Sequence, residues 1–116
     1  MLVLQGTLDL LVLRTLAAGG QQHGYAVLAR LREASGDELE IEDAALYPAL
    51  HRLEARGLVE SEWGLSESNR RAKYYRLTPD GRRELRAAVA HWSRYVAIVA
   101  RVLGADSSGD AAEATA

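Results

Sequence analysis

Asp43-Ala44-Ala45-Leu46-Tyr47-Pro48-Ala49-Leu50-His51-Arg52-Leu53-Glu54-Ala55-Arg56-Gly57-Leu58-Val59-Glu60-Ser61-Glu62-Trp63 changes its apolar period halfway along, and that change decides the fold. Leu46, Leu50 and Leu53 recur at i, i+4 and i+7, one stripe of a helix with Asp43 as its cap and Gly57 as its stop. The other face carries Tyr47, Pro48, His51 and Arg52. A proline has no N–H to give and is tolerated only near a helix start, so this helix begins no earlier than Glu42. From Leu58 to Trp63 apolar and polar residues alternate, which is the period of a strand.

Downstream, Lys73 to Thr78 alternates again after the hydrophilic stretch Gly64 to Ala72, so two antiparallel strands joined by a basic loop are expected. Tyr74 and Tyr75 fall on opposite faces of the second strand, one of them in the core. Thr78-Pro79 then supplies a cap and a first-turn proline for a long helix reaching about Leu103. Along it Leu85, Val89, Trp92, Val96, Val99 and Leu103 are spaced four, three, four, three and four apart, a heptad seam, with Ala88, Tyr95 and Val102 beside it. Three short helices cannot cover so much apolar surface, and pairing of this helix with a second copy is the economical solution.

Upstream, Thr7 is a candidate cap for a helix with Leu8, Leu11, Val12 and Leu16 on one side and Gly19-Gly20 at its end. His23-Gly24-Tyr25 opens a second helix, with Val27, Leu28 and Leu31 on its apolar side, closing near Ser35-Gly36. Residues 1–78 thus form a winged helix-turn-helix domain, 79–103 a dimerisation helix and 104–116 a small, polar, acidic tail expected to be disordered. The fold class is mainly α, with a two-stranded β-wing and a long C-terminal dimerisation helix.

Composition narrows the function. The 116 residues suffice for one domain, 48% are hydrophobic, and there is no cysteine, which removes disulfides, thiolate metal sites and cysteine nucleophiles together. Gln5, Asp9 and Arg14 interrupt the apolar N-terminal stretch too often for a signal peptide or membrane span, and a cytoplasmic protein is expected. The net charge of -2 conceals strong segregation. Residues 33–43 hold six acids and no base. Residues 69–86 hold seven bases (Arg70, Arg71, Lys73, Arg76, Arg82, Arg83, Arg86) against Asp80 and Glu84, an excess of five and a footprint suited to phosphates.

A helix fits the DNA major groove, and a basic hairpin beside it meets phosphates or the minor groove. Over residues 5–103 the chain resembles a short-form PadR-family transcriptional regulator. The resemblance is carried in order by Gly6-Thr7-Leu8-Asp9-Leu10-Leu11, His23-Gly24-Tyr25, Leu46-Tyr47-Pro48-Ala49-Leu50-His51-Arg52-Leu53-Glu54, Gly57-Leu58-Val59 and Arg70-Arg71-Ala72-Lys73-Tyr74-Tyr75-Arg76-Leu77-Thr78. It implies a homodimer on an inverted-repeat double-stranded DNA operator, a repressor released by a small molecule or stress signal. The DNA-facing set it implies is Tyr25, Ala44, Ala45, Tyr47, Pro48, His51 and Arg52, with Arg70, Arg71 and Lys73 in the wing. Ala44-Ala45 is a departure, since many relatives carry Gly-Thr or a similar hydroxyl-bearing pair there.

Trp92 and Tyr95 offer the one ligand-site signal, large aromatics at a symmetric seam that stack a small apolar or aromatic effector, with plain interface packing as the competing account. Trp63 is assigned to wing packing. His23, His51 and His91 fall on three different helices without metal-ligand spacing, and no cofactor or metal is expected. No Gly-rich phosphate loop and no nucleophile tied to a base is present, so an enzyme is not expected. The rivals are a winged-helix module for protein association and a drug-binding dimer with incidental DNA contacts. The charge of the wing discriminates, because an adaptor gains little from five excess positive charges.

Overall fold

The computed structural model describes residues 1, 3 and 6–104. The elements run α1 (Leu8–Gly19), β1 (Gln22–His23), α2 (Gly24–Ala34), α3 (Asp43–Ala55), β2 (Val59–Leu65), β3 (Arg71–Leu77) and α4 (Pro79–Leu103). Two compact units result, Met1–Leu85 and a second from Arg86 onward. The expected disordered tail from residue 105 on lies outside the described residues.

The first unit closes around one apolar cluster. Val12, Leu13 and Leu16 of α1, Val27, Leu28 and Leu31 of α2, and Leu46, Leu50 and Leu53 of α3 meet there with Ile41, Leu58, Val59, Tyr75, Leu77 and Leu85. Each helix contributes the face its apolar spacing marks, and each fully buried leucine stabilises the unit by roughly 1.5–3 kcal/mol.

The sheet has three strands in the order β1-β3-β2, all antiparallel. The wing is the two-stranded hairpin of β2 and β3, as expected, and β1 adds a short third strand that the sequence did not mark, Gln22 and His23 pairing with Tyr75 and Tyr74. Gln22 is drawn into the core, where its Nε2 donates to the Thr15 and Gly20 carbonyls at 3.0 and 3.2 Å. The hairpin is also longer than expected: the register runs from Val59 opposite Leu77 to Leu65 opposite Arg71. Gly64, Leu65, Arg71 and Ala72 are therefore strand residues, and the connection shrinks to residues 66–70.

Two helix starts differ from expectation. Glu42, not Asp43, stands at the N-cap of α3, with Asp43 in the first turn, where its charge still favours the positive helix end. The Thr7 hydroxyl makes no cap hydrogen bond to α1; its carbonyl accepts from the Leu11 N–H at 3.1 Å. The other starts follow the sequence. His23 Nδ1 accepts from the Ala26 N–H at 3.2 Å to cap α2, and the Thr78 hydroxyl accepts from the Gly81 N–H at 3.0 Å while donating to the Gly57 carbonyl at 2.7 Å.

Tyr75 is the tyrosine that enters the core, 5% exposed, whereas Tyr74 is half-buried and donates its hydroxyl to the Leu65 carbonyl at 3.0 Å. Burial, then the charge of Glu54, pushes the Tyr75 phenol above its usual range. A raised folded pKa contributes stability that is complete below the unfolded value of about 10 and is lost as pH rises through the folded one. Unfolding free energy should therefore hold near neutral pH and fall above about pH 10. Tyr75→Phe should make that alkaline fall shallower in urea titrations, and an equal fall in both proteins would contradict the assignment.

Candidate nucleic-acid interface

With Leu46, Ala49, Leu50 and Leu53 turned inward, α3 presents Ala44, Ala45, Pro48, His51 and Arg52 outward, all exposed. Pro48 lies within the helix one turn from its start. Tyr47 sits on the flank toward α2, 44% exposed, with its ring directly over Gly24. A Cβ on Gly24 would meet the Tyr47 ring at 2.7 Å, so the glycine makes the space the tyrosine occupies. Tyr25, 68% exposed, stands beside them. Partial burial, then the charge of Asp43 and the neighbouring Tyr25, pushes the Tyr47 phenol up, which leaves it a neutral hydrogen-bond donor at neutral pH.

Arg52 is held from the opposite flank. Its Nη2 donates to Asp9 Oδ1 at 2.7 Å and its Nε to Asp9 Oδ2 at 3.4 Å, a two-pronged pair that raises the guanidinium pKa. Any phosphate that recruits Arg52 competes with this aspartate of α1. Sequence reading missed Asp9, since nothing local marks a carboxylate on one helix as the partner of an arginine on another.

The wing sorts its cations by depth. Ser66 organises the tip: its N–H donates to the Arg70 carbonyl at 2.7 Å, and its hydroxyl accepts from the Arg70 N–H at 3.2 Å. Asn69 takes φ +64°, a conformation asparagine tolerates better than most residues. Arg70 projects from this tip. Arg71 is on β3, its guanidinium 4.4 Å from the centre of the Trp63 ring, a cation–π stack that keeps an exposed indole in the wing. Lys73 lies deeper, 3.9 Å from Glu54 and 5.9 Å from the Trp63 and Tyr75 ring centres. The loop placement expected for Arg71 is thus corrected to the strand, and Lys73 lies on the strand as its alternation predicts.

The positive excess is smaller than the count of side chains suggests. Two carboxylates from outside residues 69–86 pair with bases of that stretch, Glu60 with Arg76 at 2.7 Å and Glu54 with Lys73 at 3.9 Å, while Arg83 pairs with Asp80 from within it. Among the described residues Arg70 and Arg71 form no ion pair, and they are the hairpin's uncommitted cations. On the opposite face of the hairpin a cavity of about 160 Å³ is lined by Gln21, Glu60, Ser61, Glu62, Tyr74 and Arg76. It is smaller than the roughly 300 Å³ of ordinary small-molecule sites.

In the second unit Val89, Tyr95, Val96, Ile98, Val102 and Leu103 are exposed, and Trp92 and Val99 half-exposed. Trp92 and Tyr95 are a tilted aromatic pair, ring centres 6.1 Å apart. Leu85, expected on the same seam, is instead 6% exposed in the core of the first unit, so the free stripe begins at Val89. The described residues hold no group of three or more histidines or carboxylates able to bind a metal ion, and no helix among them is long and apolar enough to cross a membrane.

A three-helix core, a hairpin projecting beside the exposed face of the third helix, and a long helix after it define a winged helix-turn-helix protein. The model of the PadR-like transcriptional regulator family matches residues 12–87. A transcriptional regulator of Mycobacterium tuberculosis is 38% identical over 92 residues, 78% of each chain. The crystal structure of a PadR family regulator from Eggerthella lenta is 38% identical, with a TM-score of 0.74 over 85% of this chain and 83% of that one. Bacillus subtilis PadR, solved in complex with operator DNA, shares the fold at 23% identity and a TM-score of 0.64, covering 74% of this chain and 48% of its own. The chain belongs to the PadR-like family of transcriptional regulators, and these are not enzymes.

Proposed function

We propose that this regulator is a repressor that binds an inverted-repeat DNA operator as a homodimer. In this account α3 enters the major groove with Tyr47, Pro48 and His51 toward the base edges, Tyr25 beside them, and Ala44 and Ala45 against the groove floor. The wing lays Arg70 and Arg71 on the flanking phosphates. The observation that carries it is the pair of uncommitted arginines on a hairpin next to the exposed face of α3. The operator complex of Bacillus subtilis PadR, a fold neighbour, supports the same partner. The exposed stripe of α4 from Val89 to Leu103 pairs with a second copy, and a flat apolar or aromatic effector stacks on Trp92 and Tyr95 to release the DNA.

Each phosphate contact contributes about 0.9 to the slope of log affinity against log salt. The double variant Arg70→Ala, Arg71→Ala should therefore lower that slope by about 1.8 and weaken binding to all duplexes alike. An unchanged slope would put the wing away from the phosphates. The same titration repeated with a flat aromatic dye reads the effector arm: displacement of DNA in the wild type but not in Trp92→Ala is expected, and equal displacement from both would remove Trp92 from the site.

A further inference from the structure

Glu54 lies in the last turns of α3, on the flank toward the hairpin. Its Oε2 accepts from the Ser61 hydroxyl of β2 at 2.6 Å, and its Oε1 lies 3.9 Å from Lys73 Nζ on β3. One carboxylate thus ties the third helix to both strands that carry the wing. The strand register gives the tie its leverage. Val59 and Leu77, then Tyr75, anchor the base of the hairpin in the core, Ser61 is opposite Tyr75, and Lys73 is opposite Trp63. Beyond that point Trp63, Leu65 and Arg71 are exposed, so the outer half of the hairpin extends past the core, and among the described residues the Glu54 contacts are the outermost hydrogen bond and ion pair joining it to α3.

The charge pattern agrees. A carboxylate beside a phosphate-binding surface repels its ligand unless an internal partner neutralises it, and the Lys73 ammonium, on a half-buried side chain and 5.9 Å from the Trp63 and Tyr75 ring centres, is that partner. We infer that Glu54 is a positioning residue that sets the angle of the wing against the reading helix, and that Lys73 serves this clamp instead of contacting phosphate. The inference rests on the DNA-binding account for its consequence, but the clamp is readable without DNA.

The test uses the full chain carrying Trp92→Phe, which leaves Trp63 as the single tryptophan of the two in the sequence. Time-resolved anisotropy of Trp63 should gain a larger nanosecond component in Glu54→Ala. Glu54→Gln, which keeps an acceptor for Ser61 but loses the charge facing Lys73, should fall between. With DNA, Arg70→Ala, Arg71→Ala should shift the salt slope by about 1.8 when the clamp is intact and by less than half of that in Glu54→Ala, because a loose wing no longer delivers its arginines. Unmoved Trp63 together with an equal arginine effect in both backgrounds overturns the clamp and leaves DNA binding standing. A looser Trp63 in a protein that binds no duplex supports the clamp and removes the DNA account instead.

Discussion

Gly81→Ala is expected to lower the melting temperature by on the order of 10–20 °C, the largest single-site effect on stability foreseen for this chain. The residue sits in the first turn of α4 against the start of β2, where an added Cβ would stand 2.1 Å from the Leu58 carbonyl oxygen and 3.0 Å from Leu77 Cδ2. The clash is with backbone that cannot step aside cheaply. The same Leu58 carbonyl accepts from the Thr78 N–H at 3.1 Å, and Thr78 also holds Gly57 and caps α4. The junctions of α3 with β2 and of β3 with α4 are therefore one knot. Overpacking typically costs about 1–3 kcal/mol and more when backbone must move, so a clash with the Leu58 carbonyl lies at or above the top of that range, about 3–4 kcal/mol; alanine recovers about 1 kcal/mol of helix propensity over glycine, and the net loss is about 2–3 kcal/mol. A melting temperature within a degree or two of the parent's would mean that α4 and the hairpin are not locked together in this way.

The second large effect concerns assembly. Val89, Trp92, Tyr95, Val96, Val99, Val102 and Leu103 cover about 140° of the α4 circumference at 100° per residue, an apolar face too broad to remain in water. A glutamate in its middle, Val96→Glu, buries a charge at any interface formed there and should yield a monomer by light scattering. Since Val96 is 44% exposed, the chain's own core loses nothing. Operator affinity should drop further than any single contact explains, by about 10²–10⁴, because the second half-site then binds from bulk solution instead of from a linked copy. An unchanged molecular mass for Val96→Glu would place the partner surface elsewhere.

The sequence carried the helices, and local physics explains why. Leu46, Leu50 and Leu53 mark the buried stripe of α3 without help from the rest of the chain, and Thr78-Pro79 specifies where α4 starts. What stayed illegible depends on residues distant along the chain. Gln22 and His23 are a strand only because β3 offers them Tyr75 and Tyr74; two residues have no period of their own. Leu85 fits the heptad seam as well as the core, and spacing alone cannot tell which of the two holds it; it lies in the core. The hairpin is longer than its alternation because Gly64, Leu65, Arg71 and Ala72 are held by ladder pairing, which their polarity conceals.

At the site the same division holds. The outward face of α3 was legible because it is the complement of the buried stripe, so Tyr47, Pro48, His51 and Arg52 fall where the pattern puts them. The partners that set what those side chains are free to do were not. Asp9 for Arg52 and Glu54 for Lys73 are tertiary ion pairs, invisible to periodicity and spacing. Those pairs separate Arg52 and Lys73, which already face a carboxylate, from Arg70 and Arg71, which form no ion pair among the described residues.

The measurement that tests the central claim most directly is a fluorescence titration of the intact protein with its own upstream promoter duplex and with an unrelated duplex, at about 50 and 200 mM salt. The account predicts tight binding to the promoter, weaker binding to the unrelated duplex, and a steep loss of both as salt rises. Equal, weak binding to the two duplexes at both salt concentrations would contradict it and turn the wing and α4 toward protein association.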